Sequence, residues 1–340
     1  MSLLNNTITE SFLKEFDIYW NDMLANIKCQ QIQLRQGNRL RPQICLWGYL
    51  ATYPSLINYK RDLSQIAFVS VSIEMIHKAS IMLDDWIDED PERHGVPAFH
   101  IEYSPKDTVI TALTIIGFAL KRLRKAIPSD SINLPHHYFM CIDTLIETIY
   151  AMAQGALKEL HLNNKNMYDM NTIREITQLE TAEIIGNSMI IGYYTGIGQK
   201  SPSQIIAASF KKIGDVCGYI FQAMNDLEFF SNPQKLYAHK GNYNSDIINH
   251  RKNIAIATLY DVANEADKKI LTKNPEESMY SLITKYHVLN ILSRQINDLF
   301  VQLKIMVENL ENEDISKEWI VGFTDFLNSI KEFGENRLKS

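Results

Sequence analysis

Helical periodicity is what most narrows the folds open to this chain. Almost end to end, apolar residues return every three or four positions, the spacing that gathers them on one face of an α-helix. Phe12, Phe16, Tyr19, Met23 and Ile27 mark one such stripe and predict a helix over 11–27. Further helices are predicted over 108–126, 138–162, 173–192, 253–266, 279–310 and 317–333. Residues 66–83 and 203–230 are apolar on nearly all sides, which places those two helices at the centre. Turn formers are scarce: 14 glycines and 10 prolines in 340 residues, where about 12% is an average combined share. Strand-like alternation is almost absent, and breaks fall at 90–97, 128–135, 163–171, 198–202 and 232–243. The pattern predicts an all-α bundle of about a dozen helices in one domain over 1–340.

Charge and cysteine usage exclude some functions. Thirty-four Lys and Arg against 40 Asp and Glu leave a net charge of −6, a poor match for nucleic acid, which attracts a basic surface. No apolar run is expected to reach the ~18–20 uncharged residues of a membrane span, and residues 1–16 carry no basic leader. Cys29, Cys45, Cys141 and Cys217 are scattered without a C-x-x-C pair. They are expected as buried thiols in a reducing cytoplasm.

Two segments carry chemistry. Asp84-Asp85-Trp86-Ile87-Asp88 closes an apolar helix. At ~100° per residue, Asp84 and Asp88 project about 40° apart, so three carboxylates share one sector. Like charges this close repel, and oxygen-only ligands favour a hard cation such as Mg²⁺; the alternative is a solvated acidic helix end. Phe221-Gln222-Ala223-Met224-Asn225-Asp226-Leu227-Glu228-Phe229 closes a second apolar helix. Facing helices of a bundle can build a metal site from such ends, although one Asp and one Asn are also ordinary helix-end residues. Basic groups flank both segments: Arg39 and Arg41 in the turn 37–42, Arg93 after the first, and Lys240, Arg251 and Lys252 after the second. Arginine forks suit phosphate oxygens.

These residues resemble the trans-isoprenyl diphosphate synthase, or polyprenyl synthetase, family. Asp84, Asp85 and Asp88 look like its D-D-x-x-D motif, preceded by an E-x-x-H at Glu74 and His77. Arg93, Gly95, Pro97 and His100 follow as R-x-G-x-P-x-x-H, and residues 37–42 stand for G-K-R-x-R-P. The second aspartate motif is residues 221–229. The resemblance spans about 37–256 and implies an all-α fold around a central apolar cavity. It also implies a Mg²⁺-dependent prenyltransferase that ionises an allylic prenyl diphosphate and joins it to isopentenyl diphosphate or another acceptor, and a homodimer. By the same resemblance Asp84 and Asp88 ligate Mg²⁺ with Asp85 in support, and Asp226 with Asn225 ligates from the opposite helix. Arg93, Lys240, Arg251 and Lys252 hold the allylic diphosphate. Gln222 and Thr181 lie near the reacting carbons or the pyrophosphate, and Arg39, Arg41 and His77 belong to the isopentenyl diphosphate pocket.

Four departures from the pattern qualify this. Asn38 replaces the Lys of G-K-R-x-R-P, and His94 replaces the second Arg of the R-R-G stretch. Losing two charge-assisted contacts at roughly 1.5–3 kcal/mol each weakens a diphosphate site severely. The second motif has an amide at Asn225 and Phe229 where a carboxylate is expected. Glu180 stands where the family usually has a Lys. These changes fall more on the acceptor side than on the ionising side. A terpene synthase that cyclises a C15 or longer diphosphate without isopentenyl diphosphate is therefore an alternative, and a catalytically poor subunit of a heteromeric synthase is another. In the family this chain resembles, bulk four or five residues before the first Asp limits chain growth; small Ala79 and Ser80 there, with Met75 and Ile76 one turn deeper, therefore imply a chain of C15 or longer.

Overall fold

The computed structural model describes residues 3–27, 34, 37–56, 62–126, 136–162, 169–198, 200–231, 251–273 and 275–339. Lys240, Cys29 and the whole of the break at 232–243 lie outside them. The helices, in chain order, are α1 (Leu3–Asn26), α2 (Leu40–Leu50), α3 (Ser64–Ile87), α4 (Phe99–Glu102), α5 (Pro105–Lys125), α6 (His136–Leu160) and α7 (Met170–Thr177). A π-helical turn, Gln178–Ala182, leads directly into α8 (Glu183–Gly196). Then come α9 (Gln204–Ser231), α10 (Ile254–Val262), α11 (Glu265–Lys273), α12 (Pro275–Lys285), α13 (Val288–Glu308) and α14 (Lys317–Lys339). Strands β1 (Glu92–Arg93) and β2 (Val96–Pro97) form a small hairpin turned by His94 and Gly95, both at positive φ. A two-residue turn of that kind matches the natural twist of paired strands.

The all-α expectation holds, and the two all-round apolar helices are central. α3 packs against α1, α2, α5 and α8, and α9 against α8, α13 and the π turn. By length and composition α3 does qualify as a candidate membrane span, contrary to the expectation that no run would. However, 72% of that stretch is buried within the protein, so its apolarity is spent on neighbouring helices. α2 and α8 approach backbone to backbone: a Cβ on Gly48 would sit 1.9 Å from the Met189 carbonyl oxygen, and one on Gly192 would sit 1.9 Å from that of Cys45. On the far side Trp47, Trp319, Phe323 and Phe326 pack ring against ring, and Trp319 Nε1 donates to the Trp47 carbonyl at 2.7 Å.

Three expected helices are broken. The one over 253–266 ends at Val262, with Ala263 extended before α11. The one over 279–310 is split at His287, at φ 52°. Both breaks converge on Asp267, which accepts from Lys285 Nζ at 2.6 Å and from the Tyr286 hydroxyl at 2.5 Å. The Asn264 N–H donates to the same hydroxyl at 3.0 Å. Those bonds join residues 18 to 22 apart in sequence, so periodicity within one window does not register them. The helix expected over 173–192 is interrupted by the π turn, which adds a residue to one turn and re-aims its side chains.

Candidate functional site

The first acidic tip is the C-terminus of α3. A helix C-terminus carries partial negative charge, so three aspartates there are an electrostatic conflict that cations must relieve. Arg93, carried back over the tip by the β1–β2 hairpin, donates Nε to Asp85 Oδ1 at 2.8 Å, with Nη2 on the same oxygen. Its Nη2 lies 3.8 Å from Asp84. Burial lifts the Asp85 carboxyl to about 6, against the pull of Arg93. Burial would lower Arg93, but the Asp85 carboxylate outweighs it and the guanidinium is held above its ordinary value. Arg251 meets Asp88 at 2.5 Å through Nε and donates Nη2 to the Ile87 carbonyl at 2.8 Å. It thereby serves one of the orphan carbonyls of the helix end. Asp84 is the open carboxylate, its side chain half exposed at 52%.

The second tip is the end of α9. Gln222 Nε2 donates to Asp226 Oδ1 at 2.8 Å, and the Ile254 N–H donates to Asp226 Oδ2 at 2.6 Å. Asp226 thus supplies an N-terminal cap to α10, beside Asn253, which accepts from the Ile256 N–H at 3.1 Å. Thr181 donates to the Gln222 amide oxygen at 3.3 Å, so Thr181, Gln222 and Asp226 form one polar chain. Residues 251–254 join the tips, with Arg251 on Asp88 at one end and the Ile254 N–H on Asp226 at the other.

Between those ends lies Lys252, buried in a carboxylate pair. Its Nζ donates to Glu159 at 3.0 Å and to Glu180, and its N–H donates to Glu159 at 2.7 Å. Burial would lower the Lys252 ammonium, but Glu159 and Glu180 outweigh it and hold it well above its usual range. Burial raises Glu180 to about 8. For Glu159 the burial effect is overcome by Lys252, which leaves that carboxyl below its ordinary value. The carboxylate that departs from the family pattern is therefore answered by a lysine brought from 72 residues away. The π turn positions Glu180 over Gly155, where a Cβ would come within 2.5 Å of the Glu180 Cγ.

The turn before α2 separates its two arginines. Arg39, at φ 52°, turns toward α1: its Nη1 lies 3.0 Å from Glu74, and its guanidinium stacks 4.5 Å from the Trp20 ring centre. Arg41, in the first turn of α2, lies with Nη1 2.9 Å from His77 Nε2. Burial, with Arg41, Lys78 and Arg93 nearby, holds His77 well below its usual range. The ring is therefore neutral and Nε2 is the acceptor. Burial likewise lowers Arg41, to about 10.

A cavity of about 400 Å³ opens beside the polar chain, walled by α2, the π turn, α8, α9 and α14. Asn38, Arg41, Thr181 and Asn225 line it, and Asp84, Asp85 and Asp88 do not. The structure thus brings the α3 aspartates together with Arg93, Arg251 and Lys252, and Thr181 together with Gln222 and Asp226. It sets Arg41 and Asn225 on the cavity and directs Arg39 away from it. Glu159 and the α14 wall escape sequence reading. Glu159 sits inside an ordinary amphipathic helix, with no local signal that it meets Lys252.

The oxygens at the α3 tip suit magnesium in kind: carboxylates only, one of them open. Among the described residues no three acidic, histidine or cysteine side chains already converge on one point. Mg²⁺ does not demand that, since it binds through one or two carboxylates and fills its shell with water and phosphate oxygens. The α9 tip fits less well, because Asp226 is already held by two donors.

Comparison with known proteins agrees with this layout. The family model described as Polyprenyl synthetase matches residues 23–291. The chain is 22% identical to geranylgeranyl diphosphate synthase of Methanosarcina mazei over 59% of its own length and 57% of that protein. It is 24% identical to the enzyme of the same name from Saccharolobus solfataricus, over 83% of this chain and 82% of that one. Its identity to heptaprenyl diphosphate synthase component 2 of Bacillus subtilis is also 24%, over 69% and 60%. The chain spans somewhat over half the length of the first and third of these relatives. In fold it resembles geranylgeranyl pyrophosphate synthetase from Pyrococcus horikoshii, at a TM-score of 0.73 and 16% identity over 95% of this chain and 98% of that one. It also resembles T. brucei farnesyl diphosphate synthase, at a TM-score of 0.75 and 13% identity over 94% and 98%. With most of its length matched by the family model, and with that family's motifs in order along the helices, the chain belongs to the polyprenyl synthetase family.

Proposed function

We propose that this chain, as one domain over 1–340, is a magnesium-dependent prenyltransferase acting on an allylic prenyl diphosphate of C15 or longer. The observation that carries the reading is the α3 tip: Asp84 stands open beside Asp85 and Asp88, with Arg93 and Arg251 already gathered there. Asp84 and Asp88 would hold Mg²⁺, which when bound would offset the charge that develops on a leaving pyrophosphate. Arg93, Arg251 and Lys252 add fixed positive charge where the diphosphate would lie. Asn225 and Asp226 join as metal holders only if Asp226 releases the Ile254 N–H. Buried Met75, Ile76 and Ala79 on α3 give an apolar helix face deep to the tip, in keeping with a long hydrocarbon chain kept from water. Membership of the family supports prenyl transfer over cyclisation.

Farnesyl diphosphate is the test ligand. Its binding, followed by equilibrium dialysis, is expected to require Mg²⁺ and to fall at least about tenfold in Asp84→Ala. Binding that persists in that variant, or without the metal, removes the α3 tip from the chemistry.

The same reading makes the enzyme a cytoplasmic homodimer. Cys45, Cys141 and Cys217 are free and buried, in keeping with a reducing compartment. α6 carries an outward apolar stripe of Phe139, Ile146, Tyr150 and Leu157, spaced to share one face of the helix. Such a patch marks an interaction surface. The relative named as a component of heptaprenyl diphosphate synthase favours a second reading of that stripe, as the seat of a different subunit.

A further inference from the structure

Lys252 stands on a segment that is fixed on both sides. Arg251 is bound to Asp88 and to the Ile87 carbonyl, and Asn253 caps α10 through the Ile256 N–H. The Lys252 N–H itself donates to one oxygen of Glu159 at 2.7 Å. What a lysine so placed keeps free is its four-carbon stem, which samples many rotamers. Glu159 removes that freedom as well, because its other oxygen accepts from Nζ at 3.0 Å. Glu180 takes a second Nζ donor. An ammonium has three N–H donors, and among the described residues no third acceptor is within hydrogen-bond reach of Nζ.

Nothing in α6 itself favours Glu159. It lies in the last turn of that helix, where the dipole disfavours a carboxylate, and it is buried. Both penalties are offset by Lys252, which keeps the carboxylate ionised. Glu180 is set differently. It sits on the π turn, a departure from helical geometry frequent at functional sites, and burial raises its carboxyl to about 8, so it keeps its proton at neutral pH. The two carboxyls and the ammonium then sum to no net charge, and a diphosphate would meet an N–H donor without a repelling anion. The charge of the open Asp84 reaches both Lys252 and Glu180, which sets the ammonium in the surroundings of the α3 tip.

We propose that Glu159 is a positioning residue of the allylic diphosphate site: it fixes the Lys252 ammonium before the ligand arrives and leaves one N–H for a diphosphate oxygen. The proposal rests on the α3 tip as the diphosphate site, as argued above. A cation ordered in advance loses no further side-chain freedom on binding, and in a partly buried setting its pull on a phosphate oxygen is stronger than in water. The sign of the effect sets Glu159 apart from an ordinary neighbour. Removing a carboxylate from around an anion ordinarily tightens the anion, because a repulsion is lost. Removing Glu159 releases the lysine stem and weakens it.

The test measures farnesyl diphosphate binding with Mg²⁺ on the full chain at neutral pH. Glu159→Gln, whose amide offers one acceptor where Lys252 needs two, is expected to weaken binding at least about tenfold although it removes a negative charge. Glu159→Asp, which keeps the charge one methylene back, should lose less, and Glu180→Gln should also lose less than Glu159→Gln. In a Lys252→Gln background Glu159→Gln should add no further loss, because it acts through the lysine. The proposal is overturned if Glu159→Gln binds as tightly as wild type or more tightly, if Glu159→Asp or Glu180→Gln costs as much as Glu159→Gln, or if the loss is undiminished in the Lys252→Gln background. Should Glu159→Gln show no cooperative urea transition, Glu159→Asp decides: weakened binding in a folded variant supports the proposal, and wild-type affinity overturns it. The wild type separates the two readings. Failure of the wild type to bind farnesyl diphosphate sinks the α3 tip, whereas wild-type binding that Glu159→Gln leaves intact sinks the positioning role alone.

Discussion

At the scale of single residues, the buried charges around Lys252 decide most. Lys252 holds Glu159 and Glu180 in one interior cluster, and removing one partner from such a cluster leaves buried charge uncompensated. Lys252→Ala is expected to destabilise the fold by about 3–5 kcal/mol, read as a lowered urea midpoint, with part of the loss recovered when Glu159→Gln is added, because Glu159 is the partner held ionised. Glu180 also makes stability depend on pH. Its folded value, about 8, lies above the ordinary 4.5, so the folded state binds the proton more tightly than the unfolded state. Stability from this group is full below the unfolded value and is lost as pH rises through the folded one. The urea midpoint of the wild type should therefore fall between pH 6 and pH 8, and Glu180→Gln should flatten that slope. A slope equally steep in the variant would assign the effect to another group.

At the scale of elements, two features set the site. The first is the close crossing of α2 and α8, which leaves no room for a side chain at Gly48 or Gly192. Gly192→Ala should push the helices apart and cost at least about 1–3 kcal/mol through overpacking, read as a lower thermal midpoint. A midpoint at or above wild type would mean that the crossing relaxes freely. The second feature is the π turn. It gives Thr181 its hydrogen bond to Gln222 and sets Glu180 against Lys252. A regular helix through 173–192, as periodicity alone predicts, would rotate those two side chains relative to the rest by about 100° for the one residue added.

At the scale of the whole molecule, the segment 251–254 ties α3, α9 and α10 into one site, and the apolar stripe on α6 faces outward. If that stripe joins two copies, Ile146→Asp with Tyr150→Asp should convert the dimer to a monomer. Size-exclusion chromatography with light scattering checks this, and an unchanged mass of two chains would place the contact elsewhere.

What the sequence determined by itself follows from local rules. Periodicity of three to four with few turn formers dictates helices, and their all-round apolarity puts α3 and α9 in the interior. The acidic helix end with its following Arg93 is legible because all its parts lie within ten residues. Other features were decided only by tertiary contacts. Asp226 as the cap of α10, Lys252 between Glu159 and Glu180, and Arg39 turned onto Trp20 each join residues far apart in the chain. Whether a charged side chain serves a ligand or another side chain depends on what the fold sets beside it. The energy of a buried charge is fixed by neighbours within a few ångströms, and those neighbours come from packing rather than from sequence spacing.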